Sequence, residues 1–293
     1  APESPAVVET ATNAYDDALL GLLQTAREQG RLRPDGLWVG SPYRPIRIPI
    51  VLKGVPVAGC EIESIEPFQP PEDKRLTRRY YRPGFGLPVT IRIKPGQEGT
   101  IQGDFDPPRL SLVVTAVLRF RVPGNEKPIE KFVGPLAREP APALLDLVDP
   151  LSVSSVHIGD AHPPLAADLS MPMLDMLEGM PKSGLEGFIM PFEGGVTEPR
   201  LEFLQPHVKG RIPVVFIHGL ASDEGTWFDM INDLRACPFF QRYYEPWVYH
   251  YPTGASFLPA AAVLRQSLRR IVRELDPDGE EKQLQNLVLV GHS

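Results

Sequence analysis

Apolar residues recur along the chain with three different periods, and the changes of period divide it. Over residues 12–29, Ala18, Leu19, Leu22, Leu23 and Ala26 return at steps of three and four, the spacing of one helix face. Thr12 or Asn13 is placed to cap the start, and Gly30 lies just past the end. A packing helix is expected there. From 37 to 135 the pattern shortens to β-prone runs at 46–51, 89–93 and 110–122, punctuated by proline and glycine. The stretch 112–118 is apolar and long enough for a central strand. Residues 136–210 carry Pro-Pro, Asp-Pro, Gly-Gly and Met-Pro pairs and read as a connector. Its scattered Leu185, Phe188, Ile189, Met190 and Phe192 imply packing against a neighbour, since a solvated linker would lack them.

From 211 strands and helices alternate. Residues 212–217 form a buried-strand pattern, and a helix follows over 226–236 with Trp227, Met230, Ile231 and Leu234 on one face. A second strand is expected at 244–251. A second helix is expected at 258–275, with Ala262, Leu264, Leu268, Ile271 and Leu275 apolar, ended by Asp276-Pro277-Asp278-Gly279. A third strand follows at 287–290. Strand, helix, strand, helix, strand predicts a parallel sheet with right-handed crossovers, and the near-continuous apolar strands predict cover on both faces. The expected organisation is a helical segment (1–36), a proline-rich, mainly β region with its connector (37–210), and the first half of a doubly wound α/β sheet (211–293).

Composition narrows the function. A net charge of −7 argues against a broad basic surface, so no nucleic-acid partner is expected. The 34 prolines lie mainly before residue 215 and call for turns, edge strands and few long helices there. Two cysteines, Cys60 and Cys237, are too few for a disulfide scaffold or a four-cysteine zinc site; they read as free thiols, with pairing left open. No apolar stretch reaches the ~18 residues of a membrane span, and no signal peptide is visible. The chain begins at Ala1, and its last strand leads straight into Gly291-His292-Ser293, which reads as a piece cut at both ends. Arg75, Arg78, Arg79 and Arg82, with Tyr80 and Tyr81 among them, could meet a phosphate or lipid headgroup; a solvated face with snorkelling stems is the preferred reading. His157 and His162 beside Asp160 lack a third ligand and read as a surface turn. His207, in the connector, has no catalytic context.

Two short signals carry chemistry. His218-Gly219-Leu220 follows one buried strand, and Gly291-His292-Ser293 follows another. Serine hydrolysis needs a nucleophile on a sharp strand-to-helix turn and backbone N–H donors aimed at the developing oxyanion. Gly291 and Ser293 match the first half of G-x-S-x-G, and a helix, a strand and a second helix separate the two signals.

On these residues the chain resembles the α/β-hydrolase superfamily, among its lipases and esterases. "IPVVFIHGL" resembles the third strand and oxyanion loop, and "LVLVGHS" the fifth strand and nucleophile elbow. The region between resembles the first helix, fourth strand and second helix. The resemblance implies Ser293 as nucleophile and the backbone N–H of Leu220 as one oxyanion donor, with His218 and Gly219 in the oxyanion loop. It puts the triad acid and histidine downstream, so that residues 1–293 alone are expected to be inactive. His292 is expected to pack, His250 to be a scaffold histidine near the substrate, and Asp223 and Glu224 to form a polar loop. "RRYYRPGFGLPV" and "LVDPLSVSSVHIGD" are similar to the N-terminal part of uncharacterised bacterial hydrolases, which often carry export or lipoprotein signals. That similarity implies a cell-envelope or secreted location and allows peripheral membrane association. The implied activity is hydrolysis of a carboxylic ester of lipid or acyl character, with no metal or organic cofactor. The alternatives are a non-catalytic envelope binding protein on a degenerate hydrolase fold, or an acyltransferase or peptidase on the same fold.

Overall fold

A computed structural model describes residues 5–57, 60–67, 74, 76–107, 109–120, 142–159, 161–178, 198–219, 224–254 and 256–292. Helix α1 (Pro5–Glu28) starts well before the point marked by the apolar spacing. Residues 6–11 are all exposed, so no core contact signals that start. Thr12 and Asn13 are interior to the helix and cap nothing. Leu19, Leu23 and Ala26 are buried, Ala18 is exposed, and Gly30 ends the helix at φ +65°.

Strands β1 (Leu32–Arg33), β2 (Gly36–Ser41) and β3 (Arg44–Ile48) form an antiparallel meander. The run at 46–51 is two strands, because Pro49 has no N–H for a ladder. Beyond it β4 (Ile50–Lys53) enters another sheet, and the Pro49 carbonyl accepts from Leu145 at 3.0 Å. That sheet also contains β5 (Ile62–Glu66), β7 (Leu87–Ile93), β8 (Leu110–Phe120) and β9 (Ala143–Val148). Its order is β4-β9-β8-β7-β5, antiparallel except for the parallel β4–β9 pair, with β8 central as its apolar run predicts. Period-two alternation sends Leu112, Val114, Ala116 and Leu118 into the core under α1 and Ser111, Thr115 and Val117 to the other face. Between these strands lie β6 (Tyr81–Arg82) and α2 (Ile101–Phe105); after them come β10 (Ala167–Asp168), paired with β6, and α3 (Met171–Glu178).

The second sheet holds β11 (Arg200–Phe203), β12 (Ile212–Ile217), β13 (Tyr244–His250) and β14 (Val288–Gly291) in the order β11-β13-β12-β14. Strands β12, β13 and β14 are parallel, and β11 runs antiparallel beside β13. The connecting elements are a 3-10 turn (Glu224–Trp227), α4 (Phe228–Ala236), α5 (Pro238–Tyr243), α6 (Phe257–Leu275) and α7 (Lys282–Gln285). Val214 and Phe216 pack with α3, α4 and α5 on one face. Val215, Trp247 and Tyr249 pack with α2, α6 and α7 on the other. Cover on both faces is why the strands read as continuous apolar runs. The fold is therefore mixed α/β, a mainly β N-terminal region followed by a mixed sheet with parallel strands.

On α4 the expected face is rotated. Met230 is 44% exposed, while Phe228, Ile231, Asn232 and Arg235 are buried. The two polar residues hold that face because each has a target: Asn232 donates to the Arg78 carbonyl (2.8 Å) and Arg235 to the Leu204 carbonyl (3.4 Å). Burial still lowers the Arg235 pKa to about 10.

Two members of the arginine run bind inward, and a third lies on the solvated face. Arg79 pairs with the buried Asp168 (2.6 Å), and Arg82 donates to the carbonyl of Pro150 (2.8 Å). Arg78 is fully exposed, and Arg75 lies outside the described residues. The same segment stitches the N-terminal region to α4: Thr77 N–H donates to Asp229 (2.7 Å) and the Tyr80 hydroxyl to Asp233 (2.7 Å). On the opposite side Arg270 of α6 pairs with Asp104 of α2. Contact between the two regions includes these residues, α3, and Ile101 and Phe105 of α2; Leu185, Phe188, Ile189, Met190 and Phe192 lie outside the described residues. Cys60 and Cys237 are both free thiols.

The α3 joint is partly ionic. Arg92 donates to Asp175 at 2.6 and 3.1 Å, and Ser111 hydroxyl donates to the same carboxylate. Burial alone would raise the Asp175 pKa, but the bonds from Arg92 and Ser111 outweigh it and hold it low. At the amino end of the second sheet, His207 Nδ1 meets the buried Glu245 at 2.7 Å and its Nε2 meets Glu281 at 3.4 Å. Burial opposes charge on His207, yet the two carboxylates prevail and its pKa is raised.

Two outcomes follow. Asp175→Ala leaves Arg92 with only its longer contact to Glu66 and should cost about 3 kcal/mol, against about 0.5 kcal/mol or less for Glu61→Ala in the exposed Lys94–Glu61 pair; urea midpoints measure both. His207 binds its proton more tightly folded than unfolded, so its contribution is complete below about pH 6.5 and is lost as pH rises through the raised folded pKa. Urea unfolding across that range should show stability falling with pH, with a flatter slope in His207→Gln.

Candidate functional site

Strands β12 and β14 are parallel neighbours, with Ile217 opposite Gly291, so their C-terminal ends emerge side by side. The ladder runs one step further, the His292 N–H donating to the Ile217 carbonyl at 3.0 Å. Beyond that point the two chain ends touch. A Cβ on Gly219 would stand 2.9 Å from both the carbonyl oxygen and Nδ1 of His292. Glycine is required at 219 by this close approach and not by a left-handed backbone.

His218 is buried, 1% exposed, and is bracketed by Tyr251. The Tyr251 backbone N–H donates to His218 Nε2 (3.2 Å), the Tyr251 hydroxyl donates to the His218 carbonyl (3.0 Å), and the rings stack at 4.5 Å. An Nε2 that accepts a hydrogen bond carries no proton, so the ring N–H lies on Nδ1, 3.2 Å from the Gly219 carbonyl. With both nitrogens engaged, His218 ties the loop to Tyr251. Burial raises the Tyr251 pKa, which keeps its hydroxyl a donor. His250, at the end of β13, is buried with its ring 5.3 Å from that of His218.

His292 is exposed rather than packed inward; its ring meets the edge of Trp227 at 6.0 Å. The Trp227 Nε1–H is buried and has no acceptor among the described residues. Tyr251 and Trp227 are the participants that sequence spacing did not single out. The cluster Tyr249-His250-Tyr251-Pro252 at a strand end was the available signal for the first. Leu220, Asp223 and Ser293 lie outside the described residues, as does the Glu224 side chain. The structure therefore brings together Gly219, His218, His250 and His292. His207 sits at the opposite, amino-terminal end of the sheet, beside Glu245 near the start of β13. Among the described residues, no three histidine, cysteine, aspartate or glutamate side chains converge to hold a metal, and no helix is long and apolar enough to cross a membrane.

No protein-family model, curated protein or solved structure matches the chain.

The Gly219–His292 contact has a mechanical consequence. Gly219→Val must push the His292 backbone off β14 and should lower stability by about 1–3 kcal/mol, the usual cost of overpacking. Gly291, with open space around its Cβ position, should accept alanine within about 0.5 kcal/mol. Equal shifts in the urea midpoint for the two variants would contradict this packing.

Proposed function

We propose that the chain carries the nucleophile and oxyanion loop of a serine hydrolase that cleaves carboxylic esters of lipid or acyl character. The observation that supports this is the contact between Gly219 and His292. Leu220 follows the first of these residues and Ser293 the second, each within one Cα–Cα step of about 3.8 Å. The resemblance matches β12, β13 and β14 to the third, fourth and fifth strands. With β12 between the other two, an oxyanion loop and a nucleophile elbow leave the sheet side by side.

In this reading the Ser293 hydroxyl attacks the ester carbonyl and the Leu220 N–H donates to the developing oxyanion. A histidine must take the serine proton and an acid must orient it. This reading takes His218 as a loop residue, on the strength of its two hydrogen bonds, and assigns neither role to a described residue. Phe257 and Leu258, 71% and 67% exposed at the start of α6, give apolar surface at the same edge of the sheet, suited to an acyl chain.

Fluorophosphonate labelling with peptide mass spectrometry, beside a p-nitrophenyl ester panel, tests the reading in the protein that contains this chain. The label should fall on Ser293, and Ser293→Ala should abolish it and lower turnover by about 10³-fold or more. A label on another residue, or no label and no turnover in the parent protein, would overturn the assignment.

A further inference from the structure

His157 and His162 face each other across a hairpin whose arms are residues 154–158 and 161–165. Ile158 and Ala161 exchange both backbone hydrogen bonds, at 2.9 and 3.0 Å, and Val156 N–H donates to Pro163 at 3.1 Å. The intervening pair, His157 and His162, is therefore the non-hydrogen-bonded pair, where opposite side chains come closest. Gly159, at φ +57°, makes the turn. Both histidines are exposed. Their ring centroids are 4.4 Å apart, and Nδ1 of His157 lies 3.0 Å from Nε2 and 3.5 Å from Nδ1 of His162.

The geometry points to a chelate site for a divalent late transition-metal ion, with His157 and His162 as its two protein ligands and water completing the shell. Two imidazole nitrogens bound to one ion at ~2.0–2.1 Å, at angles of ~90–110°, stand ~2.9–3.4 Å apart. The register holds the two rings opposite each other at that spacing; Nδ1 of His157 now stands beside the His162 ring, nearly equidistant from its two nitrogens, so a turn of the exposed His162 ring aims both lone pairs at one ion. Imidazole suits Zn²⁺, Ni²⁺ and Cu²⁺, whereas Ca²⁺ and Mg²⁺ demand oxygen ligands.

The backbone mount is tied down, so binding has only the two side chains to order. Val156 and Leu165 are buried with Val117 and Val148 of the five-stranded sheet. Leu165 N–H donates to the Ser154 carbonyl (3.0 Å), Phe85 N–H to Pro164 (2.7 Å) and Ala166 N–H to Phe85 (3.1 Å). The hairpin is thus tied to itself and to the segment before β7. The site is independent of the proposed hydrolase chemistry, and its test does not read activity.

The experiment is titration of the metal-stripped chain with Ni²⁺ by calorimetry at about pH 7.5, where imidazole is largely neutral. Cu²⁺ electron paramagnetic resonance counts the nitrogen ligands. His157→Gln and His162→Gln should each weaken Ni²⁺ binding about tenfold or more, because each leaves a single imidazole. The double variant should remove the two-nitrogen Cu²⁺ signal, and Cys237→Ser, at an exposed thiol, should change nothing. Both histidines are exposed, so the variants should unfold at the parental temperature without metal. A loss of less than about fivefold in either single variant, or a Cu²⁺ spectrum unchanged in the double variant, overturns the chelate and leaves the pair as an ordinary imidazole–imidazole hydrogen bond.

Discussion

Asp175 rides on a helix whose other residues from Met171 to Leu177 are all buried, and its carboxylate would be stranded there without a counter-charge. Arg92 of β7 supplies the charge and Ser111 of β8 a further donor. Arg92 also meets Glu66 of β5 (3.4 Å), which Arg27 of α1 holds at 2.8 Å. One chain of charges thus ties α1, the five-stranded sheet and α3 together. The apolar residues of α3 serve the other partner: Met173, Met176 and Leu177 pack with Val214 and Phe216 of the second sheet. A helix apolar nearly all round is stable only when covered on every side. Each sheet therefore completes the burial of α3 that the other begins.

That coupling matters for the candidate site because one face of β12 leans on α3. The opposite face is held by α2 and α6, themselves joined by Arg270 and Asp104. With both faces pinned, the ends of β12 and β14 are carried on rigid elements, and Gly219 can lie against His292 without room for a side chain. Two histidines mark the two ends of the sheet by different physics. His218 uses neutral hydrogen bonds to Tyr251 at the carboxyl end. His207 uses charge at the amino end, between Glu245 and Glu281, and backbone N–H groups of Val208 and Gly210 bond the same carboxylates. The carboxyl end is thus fixed by neutral hydrogen bonds and the amino end by charge.

Local pattern determined a good deal of this. Strands β12, β13 and β14 and helix α6 stand within a residue or two of where apolar runs and breakers indicate, since burial on both faces leaves a continuous apolar signature. The central place of β8 followed from its length and alternation. So did the closeness in chain order of His218-Gly219 and Gly291-His292 to strand ends, because each pair directly follows or closes an apolar run. What spacing could not show was anything set by a partner distant in sequence. The early start of α1 has no core contact to announce it. Met230 and Asn232 exchange exposure because the Arg78 carbonyl waits on one side of α4. Strand β11 is too short to signal itself and forms on the edge of β13. Arg79 and Arg82 look like part of a solvated face until Asp168 and the Pro150 carbonyl are found beneath them. His157 and His162 look like a plain turn until hairpin register makes them opposite. The sequence by itself determined which segments could be buried, because that depends on near neighbours in the chain. Only the tertiary structure decided the strand order, the Gly219–His292 contact and the partner of each buried charge, because desolvated polar groups are satisfied by whatever the fold brings to them.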